Sequence, residues 1–400
     1  MKILQIIPQY VPAYRFGGPL QVAHSLGKEL VGRGHEVVVC TTNVADETKN
    51  LNVPLDQPVG LDGVTVFYQS VPRFRRWGYS PGLRQRVVKL ISDADFVLIH
   101  NHFQYAGWIG ARMARKMVKP YILFPHGSLK WQSIRSSSGL AKLVYLFLLE
   151  RKNFQCAEHV AFNAEEERSD SLFSGNGIVV TNGIDPQQFK ALPRKGAFRL
   201  RHPEVANRLI FLFLGRIDVT QKALDILLEA FARHVQAGST AMLILAGPSE
   251  GADYARMQKW VVELGLAKQV LFTGLVSGQE KLDLLRDADV FLMPSRYEGL
   301  SIALLEAMAS GLPIILSDRC GLHQQIKVHK CGLVVQPNVD SVVSAMAAME
   351  DPAARAIYGE NARKLALEEH VWPEIAENLE KLMRSKLEVR FDSGVCDRWI

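Results

Sequence analysis

The chain has few cysteines, five in 400 residues (Cys40, Cys156, Cys320, Cys331 and Cys396), odd in number and scattered. That argues against a secreted disulfide framework and fits reduced thiols in a cytoplasm. Long hydrophobic runs are missing. The longest, Leu143 to Leu149, has seven residues, against the ~20 that a spanning helix needs. The opening Met1–Pro8 has neither the apolar core nor the small-residue cleavage site of a signal peptide and is expected to be a first strand. No Gly-x-Gly-x-x-Gly follows that strand, and no Gly-x4-Gly-Lys-Ser/Thr occurs, so neither the dinucleotide fingerprint nor the P-loop is present. There is no low-complexity tract and no short-period repeat. With 48% hydrophobic and 22% charged residues the composition is that of a globular protein, which excludes disordered and fibrous classes.

Acidic residues are scarce in one stretch only. Net charge is +6, from 47 basic and 41 acidic residues. Between Val71 and Lys152, fifteen Lys and Arg face only Asp93, Asp95 and Glu150, so that segment carries +12 and the rest of the chain −6. A local basic field implies an anionic partner such as a phosphate group, a membrane surface or nucleic acid, unless it is a solvated face without a partner. Inside it, Leu140–Leu149 is apolar nearly all round, broken only by Lys142, so a helix there is expected to be either buried or in contact with lipid.

Short apolar, β-rich runs alternate with helical-period segments, which predicts parallel sheets covered by helices. Ile3–Ile7, Glu36–Cys40, Val64–Tyr68, Phe96–Ile99, Tyr121–Phe124 and His159–Phe162 are the expected strands of a first sheet, with Leu20–Gly32 as its first helix. Val179–Asn182 leads through the turn-rich Gly183-Ile184-Asp185-Pro186 into a basic segment of weak pattern, Lys190–Pro203. A second series follows: Leu209–Leu214, Met242–Ala246, Val270–Phe272, Val290–Met293, Ile314–Leu316 and Leu333–Val335. Lys222–Gln236 and Ser301–Ser310 are its clearest helices. Asp340–Glu350 and Pro373–Lys386 close the pattern, and the last dozen residues read as frayed. The fold class is therefore α/β, with two Rossmann-like doubly wound domains at residues 1–185 and 186–370. Residues 371–400 form a closing helix and tail. In such sheets ligands bind beyond the carboxyl ends of the strands, so a cleft between the halves is the expected active site.

Several motifs carry chemistry at those strand ends. Phe16-Gly17-Gly18-Pro19 stands before the first helix, where Gly17 and Gly18 allow close backbone approach by an anion or a sugar. A plain tight turn would look the same. Pro294-Ser295-Arg296-Tyr297-Glu298-Gly299-Leu300-Ser301 runs from a strand into a helix that holds Glu306. The amides of Gly299, Leu300 and Ser301 can receive phosphate oxygens there, and the two glutamates suit hydroxyls at either end of a ligand. Leu214-Gly215-Arg216 ends another strand, with Lys222 six residues on. Two cations converging at a strand end, without an acid cluster, suit a diphosphate neutralised by side chains instead of a metal. His126, in Phe124-Pro125-His126-Gly127-Ser128, follows a strand directly and is a better site candidate than an isolated histidine. His100 and His102 flank Asn101; strand alternation would point them to opposite faces.

Other assignments compete. Gly247-Pro248-Ser249-Glu250-Gly251 matches the nucleophile elbow of serine hydrolases, with Asp289 and His323 as partners for Ser249. It has Pro248 before the serine and no oxyanion-hole glycine run, and it leaves the cations and glutamates without a role. Cys320, His323, His329 and Cys331 are metal-ligand types, but their spacing matches no common zinc finger. A basic nucleic-acid binder would interleave its cations with aromatics or show a known module, and neither is found.

The ordered set of motifs resembles the retaining GT-B glycosyltransferases of family 4, which build polysaccharides and glycolipids. The likeness spans nearly the whole length. It runs from the Gly17-Gly18 loop to Gly34-His35-Glu36-Val37, Pro125-His126-Gly127 and Asn182-Gly183-Ile184-Asp185 with Phe189. It continues through Gly215-Arg216 with Lys222, Phe272-Thr273-Gly274, and Glu298 to Glu306 followed by Ala307-Met308-Ala309-Ser310-Gly311-Leu312-Pro313. Ala223 stands where glycine usually follows the lysine, and Glu298-Gly299-Leu300 is the variant found in polysaccharide-assembly members.

The resemblance implies roles. Arg216 and Lys222 would hold the donor diphosphate, with Gly299, Leu300 and Ser301 supplying backbone amides. Glu306 would bind the ribose hydroxyls and Glu298 the transferred sugar, His126 would lie by the reacting sugar, and Gly18 would approach the phosphate or the acceptor. No metal or bound cofactor is expected, the nucleotide-diphosphate-sugar being a co-substrate. The acceptor would be a saccharide or lipid-linked saccharide and the setting cytoplasmic, peripheral on the inner face of an anionic plasma membrane. Nucleic acid is not an expected partner.

Overall fold

A computed structural model describes residues 1–46, 48–131, 134, 139–173, 175–248 and 251–392. The chain forms two compact units. Met1–Asn182 and the chain from Trp372 onward make the first, and Gly183–Val371 makes the second. The crossings thus fall at Asn182/Gly183 and Val371/Trp372, not at 185/186 and 370/371. The reason is local: Ile184 pairs in parallel with Val371, its amide donating to the His370 carbonyl at 2.9 Å, so both crossing segments belong to the second unit.

The first unit is built on eight strands: β1 (Lys2–Gln9), β2 (Glu36–Thr42), β3 (Val59–Leu61), β4 (Val64–Gln69), β5 (Phe96–His100), β6 (Tyr121–Phe124), β7 (His159–Phe162) and β8 (Gly177–Val179). Their order is β3-β4-β2-β1-β5-β6-β7-β8, parallel throughout except for the β3–β4 hairpin. Asp62 and Gly63 turn that hairpin with φ of 49° and 83°, a two-residue turn whose twist matches the strands it joins. The second unit has six parallel strands: β9 (Ile210–Leu214), β10 (Met242–Ala246), β11 (Val270–Gly274), β12 (Val290–Met293), β13 (Ile314–Ser317) and β14 (Gly332–Val335), in the order β11-β10-β9-β12-β13-β14. Every residue of β5, β6, β9, β10, β12 and β13 is buried, as expected of parallel strands covered on both faces, and this is why they read as unbroken apolar runs.

Both sheets reverse their winding direction beside the first strand of the unit. In the first unit β1 lies between β2 and β5; in the second β9 lies between β10 and β12. At such a switch point the loops leaving neighbouring strands diverge, and a crevice opens beyond the carboxyl ends.

Some elements differ from expectation. Lys222–Gln236 is not one helix. A short turn, Val219–Lys222, ends at Ala223, which is buried and left-handed (φ 53°), and the long helix starts afresh as Leu224–Gln236. Asp218 caps the turn by accepting from the Gln221 amide at 2.8 Å. A helix over Pro352–Glu369, missing from the sequence reading, packs on Ile302–Ala309. The final helix, Trp372–Asp392, runs further than Lys386, into the stretch expected to fray, while residues 393–400 lie outside the described part. It is tied to the first unit by Glu380, which accepts from Arg33 Nε at 2.6 Å and faces His35 and Arg384. These partners hold its carboxyl down, at about 2. Cys40, Cys156, Cys320 and Cys331 are free thiols; Cys396 lies outside the described residues.

Candidate active site

In the second unit the switch point gathers the residues singled out in the sequence. Gly215 and Arg216 follow β9, and the Pro294–Ser301 loop follows β12. The Lys222 ammonium is ion-paired with a Glu298 carboxylate oxygen, both side chains largely buried. Gln221 links the rest: its Oε1 accepts from Arg216 Nη2 at 3.3 Å, and its Nε2 donates to Glu298 Oε2 at 3.4 Å. Arg216, Gln221, Glu298 and Lys222 therefore form one hydrogen-bonded chain across the crevice.

A second device holds the two loops together. Arg296 donates to both carboxylate oxygens of Asp225, at 2.8 and 2.6 Å, and its Nη1 also reaches the Val219 and Thr220 carbonyls. A planar guanidinium on a carboxylate fixes direction as well as distance, so the lysine-bearing turn is locked onto the Glu298 loop. The guanidinium in turn holds the Asp225 carboxyl below its usual range, against the effect of burial.

Glu306 lies in the helix Ile302–Ala309 and is ion-paired with Lys281 Nζ at 2.5 Å. The amides of Gly299 and Ser301 make no hydrogen bond among the described residues. The Leu300 side chain is packed in the core, which leaves the backbone of this turn to face a ligand. Gly247, just after β10, stands where two strand ends pack closely. A Cβ there would stand 2.0 Å from the Gly215 carbonyl oxygen. Packing thus accounts for one glycine of the hydrolase-like motif. Ser249 itself lies outside the described residues. Its expected partner Asp289 stands at the amino end of β12, accepting from Arg199 at 2.8 Å and the Ile210 amide at 2.9 Å, far from a carboxyl-end site in a parallel sheet. Among the described residues no group of three His, Cys, Asp or Glu is placed to hold a metal, so Cys320, His323, His329 and Cys331 do not converge.

In the first unit His126 and Gly127 take consecutive left-handed conformations (φ 51° and 82°) directly after β6. The buried Glu167 clamps this turn, accepting from the Gly127 amide at 2.6 Å and the Asn163 amide at 2.9 Å. His126 Nε2 and His100 Nδ1 are hydrogen-bonded at 2.9 Å, so one ring donates and the other accepts. His102 Nδ1 lies 3.4 Å from Ser128 Oγ. The strand alternation expected for His100 and His102 fails because Asn101 between them is left-handed (φ 61°), which turns both toward the Pro125–Ser128 loop. Burial pushes the His126 and His102 imidazoles down to about 3, and His100 also well below its usual value. His126 is thus neutral at physiological pH and suited to hydrogen bonding rather than to charge. In a histidine NMR titration its Cε1–H resonance should stay flat from pH 8 to about 5, where an unperturbed histidine moves near ~6.5. A midpoint above 6 would overturn that assignment. Gly17 (φ 84°) caps the helix Gly18–Gly32, placing Phe16, Pro19 and Leu20 on the rim of a cavity in this unit.

The basic segment is less uniformly free than its composition implies. Arg75 is spent on the Asp46 carbonyl and Asn50, Arg86 on Asp56, and Lys119 on the Ser92 and Ala94 carbonyls, while Lys130 is buried. Arg73, Arg76, Arg84, Lys89, Lys116, Arg151 and Lys152 are exposed. Only part of the apolar stretch is core: Leu146 is fully buried and Leu143 packs beside it. The stretch forms the helix Gly139–Tyr145 and a π-helical turn Leu146–Glu150, with Leu140 79%, Val144 49%, Phe147 56% and Leu148 77% exposed. Phe74, 73% exposed, belongs to a loop joined to this helix through Trp77 Nε1 and Tyr145 Oη at 3.4 Å. Among the described residues no helix is long and apolar enough to cross a membrane.

Sequence reasoning missed Gln221, Asp225, Arg296 as a clamp, Lys281, Glu167 and His100 as a partner of His126. Arg296 stood inside a motif already singled out; the others become visible only when distant segments meet.

Known proteins match this chain in sequence and in fold. The model described as Glycosyltransferase Family 4 matches residues 16–188, and that described as Glycosyl transferases group 1 matches residues 195–365. An uncharacterized glycosyltransferase of Methanocaldococcus jannaschii is 27% identical over 404 residues, covering 97% of this chain and 99% of its own. Mannosylfructose-phosphate synthase of Agrobacterium fabrum is 25% identical over 62% of this chain and 59% of its own length. Among solved structures, Anabaena HepE in complex with UDP-glucose superposes with a TM-score of 0.75 at 18% identity, over 96% of this chain and 100% of that one. With one model matched in sequence to each half and a GT-B protein superposing along nearly the full length, the chain belongs to glycosyltransferase family 4, the retaining enzymes that transfer sugars from nucleotide sugars.

Proposed function

We propose that this enzyme moves a hexose from a nucleoside-diphosphate-hexose to a hydroxyl of a saccharide or lipid-linked saccharide, in polysaccharide, lipopolysaccharide or glycolipid assembly at an anionic membrane face. The observation that carries the donor half is the chain Arg216–Gln221–Glu298–Lys222 at the switch point of the second unit. Two cations and the unbonded amides of Gly299 and Ser301 supply positive potential for a diphosphate without a metal. The UDP-glucose in Anabaena HepE supports the same donor class.

The chemistry follows from charge. As the bond between the anomeric carbon and the diphosphate oxygen breaks, negative charge grows on the departing phosphate and positive charge on the sugar ring. Arg216 and Lys222 stabilise the first. Glu298, relieved of Lys222 by the incoming phosphate, turns its carboxylate to the sugar hydroxyls beside the second. The acceptor oxygen bonds to the anomeric carbon on the face the phosphate leaves, and its proton passes to the phosphate oxygen. Neutral His126 acts as a hydrogen-bonding group toward the sugar. Glu306, ion-paired with Lys281, accepts from the ribose hydroxyls.

The membrane half rests on the exposed apolar side chains of residues 139–150 and Phe74, flanked by Arg73, Arg76, Arg151 and Lys152. An apolar face edged with cations suits an anionic leaflet.

Release of nucleoside diphosphate across a panel of UDP-, GDP- and ADP-sugars, with and without EDTA, tests the donor reading. Release from at least one donor, unchanged by EDTA, is expected. Silence across the panel with turnover of carboxylic esters would favour the hydrolase instead. The glutamates should separate. Glu306→Gln should weaken nucleotide binding by about tenfold with little change in kcat, because ribose is held alike in ground and transition states. Glu298→Gln should lower kcat by about 10²-fold with nucleotide affinity nearly kept. Equal losses of nucleotide affinity in both variants would contradict this division.

A further inference from the structure

His100 closes β5 and is fully buried, and nothing above assigns it a task of its own. Its Nδ1 is hydrogen-bonded to His126 Nε2 at 2.9 Å, while its Nε2 is sealed from solvent without a hydrogen-bond partner. Burial keeps both rings neutral, so each carries a single N–H. Two arrangements then satisfy the bond. If His126 Nε2–H donates, the hydrogen of His100 must sit on Nε2, as a buried N–H with no acceptor. If His100 Nδ1–H donates, its Nε2 holds only a lone pair, and the hydrogen of His126 must sit on Nδ1.

The second arrangement costs less. An apolar interior is lined with C–H groups, which make weak contacts to a lone pair and none to an N–H. An aromatic face could accept the N–H, but the Phe124 ring, 4.8 Å from that of His100, is only 20° from parallel and so turns its face to the ring, not to its edge. Orphaned buried N–H groups are rare in native structures, under-satisfied acceptors less so. His102 points the same way independently. Ser128 Oγ donates to the Pro125 carbonyl at 2.5 Å, so toward His102 Nδ1, 3.4 Å away, it can only accept. His102 Nε2 is likewise sealed and without a partner. Both histidines of His100-Asn101-His102 therefore hold hydrogen on Nδ1 and aim it at the Pro125–Ser128 loop, because left-handed Asn101 turns them alike.

We propose that His100 is a positioning residue that fixes His126 as its Nδ1–H tautomer, so that His126 donates to an oxygen of the transferred sugar and cannot accept from its hydroxyls; the sugar contact rests on the glycosyltransferase reading above. The one lone pair of His126, on Nε2, is engaged by His100. Its Nδ1 makes no hydrogen bond among the described residues and is not sealed from solvent. Glu167, holding the Gly127 amide at 2.6 Å, fixes the turn that carries the ring. An N–H held in this way meets a sugar oxygen without first reorganising.

Two-bond ¹H–¹⁵N correlation NMR of the labelled protein at neutral pH reads the tautomers without any substrate. In wild type the Nδ1 resonances of His100 and His126 should be of the protonated type and their Nε2 resonances of the lone-pair type, the His126 signals being those lost in His126→Asn. His100→Asn, whose amide can donate from the place of Nδ1, should keep the His126 pattern and most of the wild-type kcat, measured as nucleoside diphosphate release from UDP-, GDP- and ADP-sugars. His100→Leu should let the His126 hydrogen move to Nε2 and lower kcat about tenfold, the scale of one neutral hydrogen bond, with UDP and GDP affinity unchanged in calorimetry. Hydrogen on His126 Nε2 in wild type overturns the proposal. So does an unchanged His126 tautomer or kcat in folded His100→Leu, or a tenfold loss in His100→Asn with the tautomer kept. If His100→Leu does not fold, wild type and His100→Asn decide. A wild type silent across the sugar panel would instead remove the glycosyltransferase reading, and the tautomer pattern would still decide what His100 does to His126.

Discussion

Arg216→Ala should lower kcat by about 10²-fold or more, the scale for losing one preorganised charge at a developing anion, with thermal stability unchanged. The second half of that expectation comes from the contacts. Arg216 is exposed and its recorded hydrogen bond is a 3.3 Å contact to Gln221, so removing it takes little from the folded state. Lys222→Ala should cut turnover as deeply for the same reason but should also lower the melting temperature. Lys222 is buried against Glu298, and its loss leaves a largely buried carboxylate without its cation. Losing one partner of a buried ion pair costs about 3–5 kcal/mol in comparable cases, an upper figure here because Gln221 Nε2 still donates to Glu298. The pair Lys222→Ala/Glu298→Gln should recover stability but not activity, which separates the two effects. Near-normal turnover in both single variants, measured as nucleoside diphosphate release at saturating donor, would remove the diphosphate clamp from the mechanism.

Much of this site was legible because the chemistry sits at strand ends, and strand ends are marked by local signals. Buried parallel strands have to be apolar without interruption, so β5, β6, β9, β10, β12 and β13 stand out, and the residues just after them are the candidates. Arg216, His126 and Glu298 all follow such a strand. The pairing of Lys222 with Glu298 was not legible, since 76 residues separate them and each looks like a surface charge alone. Nor was the break at Ala223. Helical periodicity continues straight through it, and only the usual glycine at that place hinted at a left-handed residue.

Other misses had signals that were passed over. Asp62-Gly63 between apolar residues is a strong hairpin mark, yet β3 is three residues long and too short to show alternation. Asp351-Pro352 opens the helix Pro352–Glu369 with an Asp cap on the Ala353 amide at 2.9 Å. Its apolar residues form no clear stripe, so periodicity alone gave no helix there. Arg75 and Lys119 show the converse: a charge count finds the basic segment, but only the fold tells which cations are spent on carbonyls within it.

The exposed apolar face carries the other large expectation. Wild-type protein should co-sediment with vesicles containing anionic lipid, weakly or not at all with neutral ones, and less as salt is raised. Phe147→Glu/Leu148→Glu should reduce that binding by at least about 10²-fold. Burying one such side chain contributes ~1.5–3 kcal/mol, and each tenfold in affinity is ~1.4 kcal/mol, so losing two suffices even before the added negative charges repel the leaflet. Because both residues are exposed, at 56% and 77%, the variant should melt with the wild type, and a loss of binding cannot be put down to unfolding. The cations should contribute in smaller steps. Arg73→Ser/Arg76→Ser and Arg151→Ser/Lys152→Ser should each weaken binding and flatten its salt dependence, at about 1 kcal/mol per charge near an anionic surface. Arg75→Ser tests the fold instead, since its guanidinium holds the Asp46–Asn50 loop. If the wild type never binds anionic vesicles, or the Phe147/Leu148 double variant binds as well as it does, the membrane face is wrong and the acceptor reaches the enzyme from solution.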